Sequence, residues 1–493
     1  MDSNIQDKTP LDPDLVFGKA KPAVCRTVMF VVLITSTIGA VTAVLIYFLA
    51  ANQHSHSSNG PTPVINPVCS DKCVLSLVES IPVGLTYEPG SPSHPSTFSG
   101  LMSLMKAAKK SIEIASFYWT MNGSDISFHD NSSWEGETVL NTLANAGHDR
   151  KIPIRIVQNQ PKGPNKNTEY LAKYAGAEVR TLNFKQWFGS GIIHTKMWLI
   201  DREHFYVGSA NLDWRSLTQV KELGAVVYNC SCLASDMSKI FDVYWYLGAP
   251  NSTIPSTWPA SLDTSINNKT TLQIKFNDSE AATYLSSSPA PLCPLGRTSD
   301  IDAIVSVIDG AEKFVYVAVM DYFPTTQFPK HGEARRYWPV IDDALRRAAF
   351  DRSVNVSLLI SYWNHTWKDM PKYLKSLAEM KSYYYPKIDI NVKIFEVPAF
   401  TEDQRKIPFA RVNHNKYMVT DKTAYIGTSN WSGDYFIDTG GVGLIVNQNK
   451  TQSDVRQQLE DIFLRDWYSN YSTNVWDFNF TKPHQFDYAH NEL

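Results

Sequence analysis

One short phrase is written twice in this chain. Residues 194–211 carry His194, Lys196, Asp201 and the turn Gly208-Ser209-Ala210-Asn211. Residues 414–430 carry His414, Lys416, Asp421 and the turn Gly427-Thr428-Ser429-Asn430. Each copy reads H-x-K-x-x-x-x-D, passes through an apolar run and ends in small residues with an Asn. A single His-x-Lys is weak evidence. Two copies 220 residues apart with the same sequel indicate a duplicated fold whose halves each donate part of one site.

The surrounding pattern repeats as well. The first half predicts a helix near Thr97–Lys110, a strand at Ile112–Trp119, a helix around Glu137–Ala146, and strands at Ile152–Val157 and Glu178–Leu182. A motif strand starting at Ile192 follows. The second half predicts a helix near Ile301–Ala311, a strand at Phe314–Met320, a helix around Val340–Ala349, and strands at Val354–Ile360 and Ile390–Phe395. Its motif strand starts at Val412. Each half ends in a helix carrying I-F-x-x-x-W, at Ile240-Phe241…Trp245 and Ile462-Phe463…Trp467. This alternation predicts two pseudo-twofold-related α/β/α sandwich halves with mixed sheets. Residues two apart on a strand share a face, so each His projects beside its Lys. The two pairs are expected in one cleft.

Paired imidazoles and ammonium groups suit phosphodiester cleavage. One neutral imidazole attacks phosphorus, and a protonated one supplies the leaving oxygen's proton. Lys196 and Lys416 place charge on the non-bridging oxygens, with Asn211 and Asn430 as neutral donors. No H-E-x-x-H run is present, and neither metal nor cofactor is required. Asp201 and Asp421 complete the motif and are expected to brace the Lys-bearing strands. Glu222 lies 28 residues after His194 and Asp438 lies 24 after His414. With a net charge of −3, phosphate recognition must be local and not the work of a basic face.

From Met29 to Ala51 the chain is apolar and uncharged, long enough to span a bilayer. Lys19, Lys21 and Arg26 precede it, which predicts a type II signal anchor with the rest outside the cytoplasm. A signal sequence is the alternative. The expected organisation is a cytoplasmic tail at 1–28, the span at 29–51, a stalk at 52–68, and halves at 69–285 and 286–493. Sequons at Asn122, Asn131, Asn251, Asn268, Asn277, Asn355, Asn364 and Asn449 agree with a secretory route. Asn430 also heads one, and its place in the motif predicts that it stays unmodified. Cys69 and Cys73 are expected to bridge to the Cys230/Cys232 pair, because C-x-C neighbours cannot readily bridge each other. A zinc site is the competing reading of these four thiols. Cys293 has no evident partner, and Cys25 borders the membrane as an idle or palmitoylated thiol.

The twin phrase is the signature of the phospholipase D superfamily, and the resemblance spans nearly everything after residue 69. The runs Asp213-Trp214-Arg215-Ser216-Leu217-Thr218, Lys221-Glu222-Leu223-Gly224 and Val412–Thr420 are similar to those of family members three and four. Those are type II glycoproteins of endosomes and lysosomes, reached through the endoplasmic reticulum and Golgi. The resemblance implies a 5′-to-3′ exonuclease acting on single-stranded DNA and RNA, releasing nucleoside 3′-monophosphates and limiting nucleic acid sensing. It implies that the two His are nucleophile and acid/base, leaning to His414 as nucleophile, each oriented by a downstream carboxylate, Glu222 and Asp438. Surface charge is the alternative for those two acids. The partners implied are nucleic acid, lysophosphatidylglycerol-type lipids in a transphosphatidylase alternative, the membrane, and a second copy in a homodimer. A non-catalytic glycoprotein is the remaining reading. Trp187-Phe188, Tyr383-Tyr384-Tyr385 and Trp431 are candidate base-stacking groups, with core or rim packing the competing role.

Overall fold

The computed structural model describes residues 66–481 except 127, 129, 331, 386 and 449–454. The expected tail, membrane span, most of the stalk, Cys25 and the sequon at Asn449 lie outside the described residues. No helix among the described residues is long and apolar enough to cross a membrane.

Two mixed sheets carry the chain. In the first, strands β1 (Val74–Ser80), β2 (Ile112–Ser116), β4 (Ile154–Asn159), β5 (Glu178–Leu182), β6 (Met197–Ile200), β7 (His204–Gly208) and β9 (Glu222–Tyr228) run in the order β1-β9-β7-β6-β2-β4-β5. Short strands β3 (Trp119–Thr120) and β8 (Leu212–Asp213) pair beside it. The second sheet contains β10 (Leu272–Phe276), β11 (Ser279–Ser288), β13 (Phe314–Val319), β14 (Asn355–Tyr362), β15 (Ile390–Glu396), β16 (Lys416–Thr420), β17 (Thr423–Gly427), β18 (Gly441–Asn447) and β19 (Ser472–Asn474), with β12 (Thr298–Ser299) on β11. Its central order, β11-β18-β17-β16-β13-β14-β15, repeats the first sheet strand for strand. The expected boundary at 285/286 falls inside β11. That strand pairs with β18 from Ala282↔Asn447 to Ser288↔Gly441, so the change of halves falls before β10.

Strand alternation sorts the core. Met197, Leu199, Phe205, Val207, Ala225 and Val227 face the second sheet across the helices Ser231–Leu247 and Val455–Tyr468, which carry the two I-F-x-x-x-W sequences. Trp198, Ile200, Tyr206 and Val226 face outward onto the helices Thr97–Ala107 and Trp134–His148. The second sheet has its own outer core beneath Asp300–Gly310, Val340–Arg352 and Met370–Ala378. Burial on both faces explains why the central strands read as continuous apolar runs. The hydroxyls of Ser96 and Ser299 cap the corresponding first helices of the two halves.

Cys69 bridges Cys232 and Cys73 bridges Cys230, with Cα–Cα distances of 6.0 and 4.8 Å. Pairwise bonded sulfurs are incompatible with four thiolates on one zinc ion, so that reading is set aside. Each bridge ties the entry to β1 to the helix Ser231–Leu247, closing a loop of 163 or 157 residues. Cys293 is a free thiol. The sequon residues Asn131, Asn251, Asn268 and Asn364 are exposed, whereas Asn430 is buried. Replacing Cys73 and Cys230 together by Ser should cost about 2–5 kcal/mol of stability. Thermal melts with and without reductant check this; an unchanged melting temperature would contradict a structural role for the bridge.

Candidate active site

The motif strands, expected from Ile192 and Val412, begin only after the histidines. The observed strands start at Met197 and Lys416, and the preceding residues pair with the other half. The N–H of His194 donates to the carbonyl of Gly440, and the N–H of Gly440 to Ile192, each at 2.8 Å. In the mirror arrangement, His414 donates to the carbonyl of Lys221 at 2.8 Å, and Lys221 to Val412 at 2.9 Å. Neither half therefore positions its own histidine alone. These exchanged hydrogen bonds bring His194 and His414 into one buried cleft, where their charges act on each other.

The lysines fold back onto their own histidines. Nζ of Lys196 donates to the carbonyl of His194 at 2.6 Å, and Nζ of Lys416 to that of His414 at 2.8 Å. Burial, followed by the neighbouring ammonium Lys416, pushes the Lys196 amine well down. Burial lowers Lys416 to about 7 against the pull of Glu222 and Asp321. Burial also lowers both imidazoles well below their usual value, helped at His194 by Lys196, Lys416 and His414 and at His414 by Lys416 and Lys196.

The two histidines have different partners. Nδ1 of His414 meets both carboxylate oxygens of Glu222, at 2.8 and 3.0 Å. Nδ1 of His194 donates instead to the backbone carbonyl of Thr428 at 2.8 Å. The expected rule of one downstream carboxylate per histidine is corrected twice. Glu222 serves the histidine of the other half, and Asp438 serves none, because it hydrogen-bonds Ser190 and Thr439. The strand register explains the difference. Gly441 begins β18 where Glu222 begins β9, and a Cβ at Gly441 would run into the hydroxyl of Ser429. No carboxylate fits there, and a main-chain carbonyl takes its place. Glu222 is fully buried and its carboxyl is pushed up to about 7 by burial, with Lys416, Ser209, Ser216 and Lys196 pulling it back.

Asp201 and Asp421, expected within the motif set, lie outside the cleft. Five strand residues at ~3.3 Å each put them about 16 Å from their lysines. Asp201 accepts from the N–H groups of Lys109, Lys110 and Ser111, and Asp421 from those of Glu312 and Lys313. They pin the helix-to-strand turns, as their bracing role requires. The hairpin after Asp421 is one residue shorter than the one after Asp201.

Asn211 reaches the hydroxyl of Tyr118 at 3.4 Å, and Asn430 reaches Tyr435 at 3.1 Å and Asp321 at 3.3 Å. The side-chain oxygens of both asparagines have no protein partner among the described residues. Asp321, Tyr118, Tyr435 and Thr428 were not singled out from the sequence. Tyr118 and Asp321 occupy matching positions after β2 and β13, so superposing the repeats would have exposed them. Burial lifts Asp321 to about 6. Trp431, a candidate stacking group, is buried at 1% exposure and offers no face to a base. Tyr383, Tyr384 and Tyr385 are exposed.

A cavity of about 200 Å³ lined by Trp187, Phe188, Phe328, Lys330, Arg336 and Asp438, among others, has none of the motif histidines or lysines in its wall. Ser190 and Asp438 on its wall belong to the paired segments that carry His194 and Gly440.

Residues 89–400 match the family described as the PLD3/4, PLD-like domain. The chain belongs to that family. It is 52% identical to 5'-3' exonuclease PLD3 of Xenopus laevis over 82% of its own length and 81% of the relative's. The human PLD3 is 49% identical over 83% and 82%, and mouse 5'-3' exonuclease PLD4 45% identical over 82% and 80%. A phosphatidylserine synthase from Haemophilus influenzae shares the fold at 10% identity, with a TM-score of 0.51 over 76% of this chain and 85% of that one.

The crossed pairing makes a sharp prediction. Glu222→Gln should lower kcat by about 10²-fold or more with little change in KM. Asp438→Asn should appear in KM and leave kcat near wild type. Steady-state kinetics on a phosphodiester distinguishes them, and the reverse pattern would refute the assignment.

Proposed function

We propose that this protein is a 5′-to-3′ exonuclease hydrolysing single-stranded DNA and RNA through a phosphohistidine on His414. The observation that carries the reading is the inequality of two converged imidazoles beside two buried lysines. Glu222 holds the His414 Nδ1–H tautomer, which leaves Nε2 with its lone pair toward the cleft. Attack by Nε2 on phosphorus makes an imidazolium that Glu222 stabilises. His194, protonated on Nε2, gives that proton to the departing 5′-oxygen. The covalent intermediate then carries a nucleoside 3′-phosphate.

In the second step His194 takes a proton from water as its oxygen attacks phosphorus. The P–N bond breaks, His414 returns neutral, and a nucleoside 3′-monophosphate leaves. Lys196 and Lys416 neutralise the non-bridging oxygens in both steps, with the Asn211 and Asn430 amides beside them. The neighbouring cavity sets Trp187, Phe188 and Phe328 among the charged groups Lys330, Arg336, Glu333, Asp434 and Asp438, and this aromatic, polar wall suits a base better than acyl chains. The sequence-derived anchor and sequons support action in the lumen of endosomes and lysosomes.

The sign of the pH dependence follows from the acid. His194 must be protonated, and burial with the neighbouring positive charges lowers its pKa. The protonated fraction therefore shrinks above that value, and kcat/KM should fall as pH rises toward neutrality. A pH–rate profile on a labelled single-stranded oligonucleotide measures it; a maximum in the alkaline range would overturn the assignment. His414→Ala should abolish nucleotide release while EDTA leaves the wild-type rate near its starting value. Stepwise shortening from the 5′ end, resolved on a gel beside a lysophosphatidylglycerol arm, tests substrate and direction together.

A further inference from the structure

One buried ion cluster is left unused by that chemistry. Lys221 has no exposed surface, yet its Nζ lies 2.8 Å from Asp466, which is equally buried. Asp466 also accepts from Arg465 Nε at 3.0 Å and from the hydroxyl of Tyr87 at 2.6 Å. Arg465 in turn clamps Glu79 of β1 with two hydrogen bonds, at 2.8 and 2.7 Å. A buried pair of this kind is no stronger in general than an apolar replacement of the same volume. Its location suggests another use.

Lys221 immediately precedes Glu222 where β9 begins. Neighbours along a strand project to opposite faces. Lys221 points between the sheets toward the helix Val455–Tyr468, while Glu222 points to His414. The same residue's carbonyl receives the His414 N–H. Fixing the Lys221 ammonium therefore fixes both contacts that orient His414, its backbone hydrogen bond and its carboxylate.

The other half provides an internal comparison. Gly440 and Gly441 occupy the positions of Lys221 and Glu222, as the matched bridges Ile193↔Gly440 and Lys221↔Asn413 show. Aligning the two I-F-x-x-x-W helices places Tyr244 opposite Asp466. Its hydroxyl lies 3.0 Å from that of Thr195 and donates to the Gly441 carbonyl at 3.4 Å. The helix anchors the motif in both halves, but through a neutral contact on the His194 side and an ion pair on the His414 side. The ion pair occurs only in the half that supplies a carboxylate.

We propose that Lys221, held by Asp466, is a positioning residue that keeps Glu222 on His414 and thereby makes the two histidines of the duplicated site unequal. This rests on the phosphodiesterase reading of the cleft and adds residues that do not touch substrate. The charged groups facing His414 are Glu222, Lys416, Lys196, His194 and Asp213. Those facing Lys221 are Asp466 and, behind it, Arg465 and Glu79.

The test uses the full-length protein and Lys221→Met, which leaves Asp466 its contacts with Arg465 and Tyr87. On single-stranded DNA, kcat should fall about tenfold or more with KM within about twofold. The acid limb of the kcat profile, which titrates His414, should move down by about half a pH unit or more as the carboxylate contact loosens. The loss should vanish in a Glu222→Gln background, because a residue acting through Glu222 adds nothing once that carboxylate is gone. Lys221→Arg should recover part of the rate. Histidine-selective ¹⁵N NMR gives a readout independent of turnover, with the His414 Nδ1–H signal shifted in Lys221→Met. An unmoved acid limb, or a full loss of rate persisting in the Glu222→Gln background, would overturn the proposal. An inert wild-type protein with the NMR shift intact would instead refute the reading of the substrate.

Discussion

The site depends on an exchange of backbone hydrogen bonds across the two halves. Each motif histidine hands its N–H to the residue just before β18 or β9 of the opposite repeat, Gly440 for His194 and Lys221 for His414. That contact is only possible because both sheets keep the same strand order and face each other over two central helices. Without it, each imidazole would sit at the end of a short strand with nothing to fix its ring. With it, two imidazoles and two ammonium groups share a volume that water scarcely enters. Burial then does most of the electrostatic work, lowering both histidines and both lysines.

Symmetry alone would yield two equivalent histidines, which is a poor arrangement for a displacement needing one base and one acid. The chain breaks the symmetry with small means. Glycine at 441 leaves no room for a side chain and lets the Thr428 carbonyl orient His194, whereas glutamate at 222 orients His414. A carboxylate stabilises an imidazolium during attack; a neutral carbonyl merely fixes the tautomer and leaves the ring free to carry a proton when needed. The same contrast continues outward, with a neutral Tyr244 contact beneath one motif and the Lys221–Asp466 ion pair beneath the other.

The motif aspartates show that a signature residue can serve the scaffold and not the chemistry. Asp201 and Asp421 recur at fixed spacing because each caps the start of a strand that must be held in register, not because they approach the phosphate. Five residues of strand separate them from the lysines, and an extended chain cannot fold that distance away. Elements of low apolar content were also hard to see. The strand Ser279–Ser288 is rich in Ser and Ala, and its partners β18 and β12 make it a strand. The boundary between halves was misplaced for that reason.

The duplication, the converging His-Lys pairs, the mixed α/β sheets and the cysteine pairing to the 230s are all legible in the order of the amino acids. These follow from periodicity and from motifs whose chemistry is carried within a few neighbouring residues. Which carboxylate serves which histidine, the place of Asp438 in the wall of a cavity and the enclosure of Trp431 emerge only from the folded chain. Such relations join residues about 200 positions apart through space. They depend on the strand register between the repeats and on the few ångströms of room at Gly441, and neither is written in local spacing.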